Sequence, residues 1–363
     1  MSTEKERIKW MDVVRVLAIV AVVVCHVIET EYYSVRIKGT AISDLSWYFQ
    51  NLSFTFGRFG VPLFLMLTGA LMLGREYDFK NFYRRSFLPL LLTTEIWIVI
   101  NYAFSCYQYA GEFSIKQLAY MMAFMRPSSL NHMWYMPMIL GIYLVIPLLA
   151  KALRGVLFSD IWLPLLVGGT VFFGVPLFNA VAGELLSTWP DADVVLGTGF
   201  LGGTYGLILV LGYYVGKEQL LQRCRGWLLV AIAVISVFLN MLGARLFYTR
   251  QMFHSDVFGW YTSPFILVTA VCCFELLRRL SPKKLWAPIV LISKGSFGIY
   301  LLHNIVLIFF NAAVAETVWF TSCNVVVRAA VRFIAAFGIP VLIVGIFDKI
   351  PIKPLKKYLL FMK

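Results

Sequence analysis

The chain has 363 residues, 60% of them hydrophobic and only 14% charged, with a mean hydropathy of +0.79. A water-soluble domain carries a larger charged surface than that, so a soluble globular enzyme is excluded. The net charge of +13 would suit nucleic acid, but the basic residues sit in short loops between apolar runs, where they set membrane topology; no nucleic-acid partner is expected.

The first apolar run, 13–28, follows Lys5, Arg7 and Lys9. That order resembles a signal peptide, yet no small-x-small cleavage site follows and many more apolar runs do, so it reads as a retained first helix. A membrane span needs roughly 20 predominantly apolar residues. Ten are predicted: 11–29, 52–73, 86–107, 133–150, 161–182, 199–216, 227–247, 261–278, 287–311 and 325–347. A short amphipathic helix is predicted over 114–124. Pro62, Pro89, Pro137, Gly141 and Pro147 fall inside spans, which membrane helices tolerate because neighbours satisfy the freed backbone groups.

Orientation follows from Lys and Arg in the loops. With the N-terminus inside, 21 of the 32 basic residues lie in cytoplasmic segments and 8 in outer ones, while Arg15, Arg58 and Lys294 lie within spans. The expected fold is therefore an all-α integral membrane bundle of about ten transmembrane helices with both termini cytoplasmic. Residues 1–363 read as one polytopic domain in the cell (inner, cytoplasmic) membrane, in contact with lipid. The six cysteines, at 25, 106, 224, 272, 273 and 323, have neither metal-type spacing nor a disulfide framework and read as packing residues. No metal is expected.

Ionisable groups in the hydrocarbon layer are costly, so each is a candidate for function. On the first helix, His26 stands eleven residues after Arg15. At 100° per residue that returns to within about 20° of one face, about 16 Å along the axis. Asp12, one turn before Arg15, is placed to pair with it. Counting about 1.5 Å per residue from the cytoplasmic helix ends puts His26 and Arg58 near 24 Å and His303 near 22 Å, with Glu95 lower, near 15 Å. Three polar groups on three helices thus share one layer toward the outer leaflet. The structural alternative for Arg58 is a salt bridge, with Glu95 as the partner. His132 opens the fourth helix and reads as an interfacial residue beside an aromatic belt; His254 sits in an outer loop without an evident partner. Arg84 and Arg85, heading the third helix on the cytoplasmic side, read either as topology residues or as groups that meet phosphates.

The first-helix pattern Asp12, Arg15, Cys25, His26 resembles the Arg-x10-His signature of the membrane-bound acyltransferase family 3. Phe56-Gly57-Arg58-Phe59-Gly60-Val61-Pro62, continuing to Thr68-Gly69, is similar to that family's second-helix block, and Phe82-Tyr83-Arg84-Arg85-Ser86-Phe87-Leu88-Pro89 to its basic lead into the third helix. His132-Met133-Trp134-Tyr135 and Ser296-Phe297-Gly298-Ile299-Tyr300-Leu301-Leu302-His303 resemble two later blocks. One Arg-x10-His is a weak signal; five blocks in order, from residue 12 to about 310, are a strong one.

The resemblance implies a stand-alone membrane O-acyltransferase, without the extra extracytoplasmic hydrolase-like domain that some members carry. It implies an acyl-coenzyme A donor on the cytoplasmic side, acetyl-coenzyme A in the usual case, and a cell-surface glycan or lipid-linked sugar as hydroxyl acceptor. On that reading Arg15, Arg84 and Arg85 meet the donor's phosphates, and the pantetheine arm runs up toward His26. His26 serves as general base or as nucleophile carrying the acyl group. Arg58 stabilises the developing oxyanion or orients the acceptor; Glu95, Tyr300 and His303 are weaker candidates for lining the substrate site. The main rival reading is a polysaccharide or lipid-linked sugar transporter or flippase, which predicts internal inverted symmetry. None is visible in the sequence.

Overall fold

A computed structural model describes residues 7–38, 42–186, 203–250, 256–280 and 282–362. In chain order the α-helices are α1 (Lys9–Lys38), α2 (Asp44–Gly57), α3 (Gly60–Met72), α4 (Phe79–Phe82), α5 (Leu88–Gln108), α6 (Ile115–Met122), α7 (Tyr135–Ala152), α8 (Phe158–Gly169) and α9 (Val175–Leu186). They continue with α10 (Gly203–Gly216), α11 (Gly226–Thr249), α12 (Pro264–Arg279), α13 (Ala287–Val314), α14 (Val318–Ser322), α15 (Val325–Phe333), α16 (Ile339–Lys349) and α17 (Lys353–Leu359). No strand occurs among the described residues.

Nine helical stretches among the described residues are long and apolar enough to cross a membrane: Lys9–Val35, Asp44–Met72, Phe79–Gln108, Asn131–Ala152, Phe158–Gly183, Gly226–Thr249, Val257–Arg279, Ala287–Val314 and Val325–Lys349. The protein is thus an all-α integral membrane protein, and these stretches match nine of the ten predicted spans. The other, predicted over 199–216, corresponds to the shorter apolar helix Gly203–Gly216, and its first residues lie outside the described ones. The amphipathic helix predicted at 114–124 is α6, with Met121 buried. On α11, Trp227, Val230, Val234, Phe238 and Leu242 recur every three to four residues and are all exposed. An apolar stripe of that kind fits a lipid-facing surface.

The second span is not the continuous helix predicted over 52–73. It begins earlier, at Asp44, and breaks at Arg58 and Phe59 between α2 and α3. Pro62 has no N–H, and its ring crowds the carbonyl four residues back, that of Arg58, so an α-helix cannot run through this point undisturbed. The chain tightens instead, with the Phe59 amide bonding to the Phe56 carbonyl at 3.1 Å, and Pro62 falls in the first turn of α3, where a missing donor costs nothing. Elsewhere the same conflict is resolved by widening. Turns of π-helix occupy Tyr83–Phe87, Thr170–Gly174 and Ile334–Gly338, each ending two residues before a proline (Pro89, Pro176 and Pro340). In the first two, the amides of Leu88 and Val175 bond five residues back, to Tyr83 and Thr170.

The chain forms two compact units. Unit 1 comprises Met1–Leu73, Gly155–Val290 and Val325–Ala329. Within it α1 packs on α2 and α3, α3 on α10, and α11 on α12. A Cβ at Gly69 would strike the carbonyl of Leu209, and one at Gly212 the backbone of Met66. The α3–α10 crossing is therefore a backbone-to-backbone approach of the small-residue type that membrane helices use in place of a hydrophobic driving force. Unit 2 comprises Gly74–Arg154, Leu291–Asn324 and Ala330–Lys363. There the C-terminal helix α17 lies on α5, held by the Trp97 indole N–H donating to the Leu359 carbonyl at 2.6 Å, with Leu360 and Met362 buried behind it.

Candidate active site

Helix α1 runs unbroken through Arg15, His26, Glu29 and Tyr33. Glu29 and Tyr33 stand three and seven residues after His26, so these groups share one face of the helix, the face that also carries Arg15. Nδ1 of His26 stands 2.8 Å from Oε2 of Glu29. A carboxylate only accepts, so the proton on that side belongs to Nδ1, and Nε2 is left as the basic nitrogen of the neutral ring. At the other end, Asp12 is buried and accepts from Arg15 at 3.1 Å and from Arg7 at 2.5 and 2.9 Å. The Asp12–Arg15 pairing expected from the sequence is present.

Arg58 reaches this face through a close contact between α1 and α2. A Cβ on Gly57 would lie 2.6 Å from both Cα and Cβ of Cys25. Only glycine permits that approach, and it brings the next residues, His26 and Arg58, into one neighbourhood. The break after Gly57 then turns the Arg58 side chain inward. Arg58 is 3% exposed. Its guanidinium donates to the Tyr33 hydroxyl at 3.2 Å and the Tyr261 hydroxyl at 3.4 Å. The rings of Phe54, Trp260 and Tyr261 lie 4.4, 4.6 and 5.1 Å from its centre. Tyr33 in turn donates to Oδ2 of Asp256 at 3.3 Å, and Tyr32 to Oδ1 at 3.2 Å. The Arg58 charge is felt at Glu29 and at Cys25.

The salt bridge offered as the structural alternative for Arg58 is absent: among the described residues no carboxylate pairs with it. Glu95 belongs to unit 2, with Oε2 buried and without a hydrogen bond. Burying a cation that no carboxylate contacts directly costs several kcal/mol after relaxation, and desolvated cation–π contacts return about 2 kcal/mol each at best. One nitrogen, Nε, is buried without any hydrogen-bond partner.

Unit 2 holds the other predicted residues. Arg84 and Arg85 lie on the π turn Tyr83–Phe87 and are both exposed. Tyr300 and His303 are buried on α13, and His132 is buried with them. His132 is therefore not the interfacial residue expected from its place at the head of the fourth span. Its turn, Asn131–Trp134, is pinned inward by the Tyr300 hydroxyl donating to the His132 carbonyl at 2.6 Å. His254 lies outside the described residues.

Sequence reasoning missed Glu29, Tyr33, Asp256, Trp260 and Tyr261. The first two carried a signal, since they stand three and seven residues after His26 on the same helical face. The last three arrive from a 3-10 turn, Val257–Gly259, and its flanks, where no periodicity points to the site.

A family model described as an acyltransferase domain (acyltransferase family 3) matches residues 8–347. No curated protein and no solved structure matches the chain.

Proposed function

Since the chain belongs to acyltransferase family 3 and is accordingly a membrane acyltransferase, we propose that it moves an acyl group, acetyl in the simplest case, from cytoplasmic acyl-coenzyme A to a hydroxyl of a cell-surface carbohydrate or lipid-linked sugar. The observation that supports this most is the His26–Glu29 pair set beside Arg58, which no carboxylate contacts directly. The reading places both termini in the cytoplasm, with the protein in the cytoplasmic membrane and 1–363 acting as one domain; the family match, which runs through both units, supports the last point.

In this mechanism the acceptor hydroxyl approaches Nε2 of His26. As its oxygen bonds to the thioester carbonyl carbon, the proton passes to Nε2, and Glu29, bonded to Nδ1–H, stabilises the imidazolium. The carbonyl oxygen becomes an oxyanion, and the Arg58 guanidinium is the proposed donor that meets it. Collapse re-forms the C=O bond and breaks the C–S bond. The departing sulfur takes the proton from Nε2, so that ester and coenzyme A thiol leave and neutral His26 is restored. Arg15, about 16 Å along α1 from His26 by helix rise, is proposed to receive a phosphate of the donor. Arg84 and Arg85 are proposed anion-binding groups of unit 2.

The test is acyl transfer in proteoliposomes, with radiolabelled acetyl-coenzyme A on one side and a panel of glycans on the other. Label on an acceptor with wild type and not with His26→Ala is the expected result. Equal label with both proteins would remove His26 from the chemistry. Absence of both transfer and donor binding would return the transporter reading.

A further inference from the structure

The end of unit 1 at which α1 begins is strongly basic. Residues 7–15 carry Arg7, Lys9 and Arg15, and residues 282–286, between α12 and α13, carry Lys283 and Lys284. The one carboxylate in these two segments is Asp12, which is buried and already shared between Arg7 and Arg15. The rings of Trp10 and Phe274, both buried, meet edge to face at 5.5 Å, which packs the start of α1 on α12. Beyond that contact the Lys9 ammonium donates to the Lys283 carbonyl at 2.5 Å. Its charge therefore stands beside Lys283 and Lys284, and among the described residues no carboxylate pairs with any of the three lysines.

Membrane topology asks only that a loop be basic. It does not ask that two basic segments be brought into contact, where like charges repel. A lysine ammonium is a compact charge with donors and no acceptor, so three of them gathered at one place select a small multivalent anion. A phosphomonoester fits this best, since it approaches two negative charges at neutral pH and its terminal oxygens are strong acceptors. A carboxylate or a phosphodiester brings a single charge, and a sugar hydroxyl brings none.

Coenzyme A carries such a group on its ribose, next to the diphosphate. On the proposed function Arg15 receives a phosphate of the donor. Lys9 lies six residues before Arg15, about 9 Å further from His26 by helix rise, a separation that a ribose and two flexible side chains bridge. From His26 back to Lys9, α1 thus carries partners for thioester, diphosphate and ribose phosphate in the order in which the donor carries those groups. We infer that Lys9, Lys283 and Lys284 form the site for the ribose phosphomonoester of coenzyme A, and that the protein selects its donor by that phosphate. The identity of the ligand rests on the proposed function; the gathering of the three lysines rests on the structure alone.

Dephospho-coenzyme A differs from coenzyme A in that phosphate only, so calorimetric titration of both into the full-length protein in nanodiscs isolates the site. Three exposed ion pairs, each contributing about two- to threefold, should make coenzyme A bind about 10- to 30-fold more tightly. Lys9→Gln, Lys283→Gln and Lys284→Gln together should weaken coenzyme A to within about twofold of the dephospho ligand, with the unfolding midpoint unchanged, and arginine at all three positions should keep the preference. Equal affinity of wild type for the two ligands would overturn the inference. So would a preference present in phosphatidylcholine nanodiscs and lost in phosphatidylglycerol ones, which would assign the lysines to a lipid headgroup. Preferential binding of coenzyme A without acetyl transfer to any acceptor would keep the site and remove the proposed function. Acetyl transfer with the same KM for acetyl-coenzyme A and acetyl-dephospho-coenzyme A would do the reverse.

Discussion

Replacing Glu29 by glutamine isolates what its charge contributes. The amide oxygen of glutamine still accepts from Nδ1 of His26, so the ring keeps its orientation and its basic Nε2, and only the negative charge is lost. A hydrogen bond to a charged group contributes about 1.5–3 kcal/mol. Here the carboxylate side chain is 36% exposed and the imidazole 15%, so solvent screening confines the charge contribution to the lower end, about 1–2 kcal/mol. It acts on the imidazolium of the transition state and not on the neutral resting ring, so it appears in kcat. At about 1.4 kcal/mol per decade, Glu29→Gln is expected to lower kcat about 5- to 30-fold with little change in either KM. Glu29→Leu, which also frees the ring to rotate, should fall further, toward the loss of about 100-fold or more expected for His26→Ala. The assay is steady-state acetyl transfer in proteoliposomes, normalised to folded protein by thermal unfolding in detergent. A Glu29→Gln enzyme within twofold of wild type in kcat, with an unchanged unfolding midpoint, would refute the dyad.

Arg58→Leu is expected to leave the unfolding midpoint unchanged or raised, because a buried cation that no carboxylate contacts directly is removed and Tyr33 retains its bond to Asp256; transfer should fall about 100- to 1000-fold, and a collapse of stability instead would make Arg58 structural. Gly57→Ala forces a methyl against Cys25, which should cost about 1–3 kcal/mol in unfolding free energy and reduce transfer as His26 and Arg58 separate; an unchanged midpoint would show that the α1–α2 approach is not tight. Trp97→Phe deletes the hydrogen bond to Leu359, worth about 0.5–1.5 kcal/mol, and should speed tryptic cleavage at Lys356 and Lys357; equal cleavage rates would show that this bond does not hold α17.

The spans were legible because hydrocarbon imposes length and composition on any segment that crosses it, and tertiary packing cannot override that. The shared face of Arg15 and His26 was legible for a related reason, since α1 is one unbroken helix and its periodicity survives folding. Arg58 was found as a buried charge, but its surroundings were not. The aromatic rings around it come from residues 54, 260 and 261, and nothing in a sequence separates such rings from the many that sit at membrane interfaces. His132 was misread for the opposite reason. A histidine beside Trp134 and Tyr135 fits an interfacial belt, and only the hydroxyl of Tyr300, 168 residues away in the chain, draws its turn inward. Depth counting placed His303 in a layer with His26 and Arg58. In the structure His303 is ordered by Tyr300 and His132 within unit 2.

Proline is the device that converts these helices into site-bearing elements. Each proline removes one donor and crowds the carbonyl four residues before it, so the disturbed residue can be named in advance: Arg58 for Pro62, Arg85 for Pro89, Phe172 for Pro176 and Ala336 for Pro340, by count along the chain. Two of the four are cations, Arg58 proposed for the oxyanion and Arg85 proposed as an anion-binding group. At Pro62 the helix breaks, because Gly57 and Gly60 flank the disturbed residue, and the backbone of α1 is already pressed against them; there is no room for a wider turn. At Pro89 the helix widens into a π turn, with Arg84 and Arg85 exposed on it. One local conflict thus gives a buried, immobilised cation in one place and an exposed, accessible pair in another. The difference is set by the packing around each proline, which is why the positions could be read from sequence and the outcomes could not.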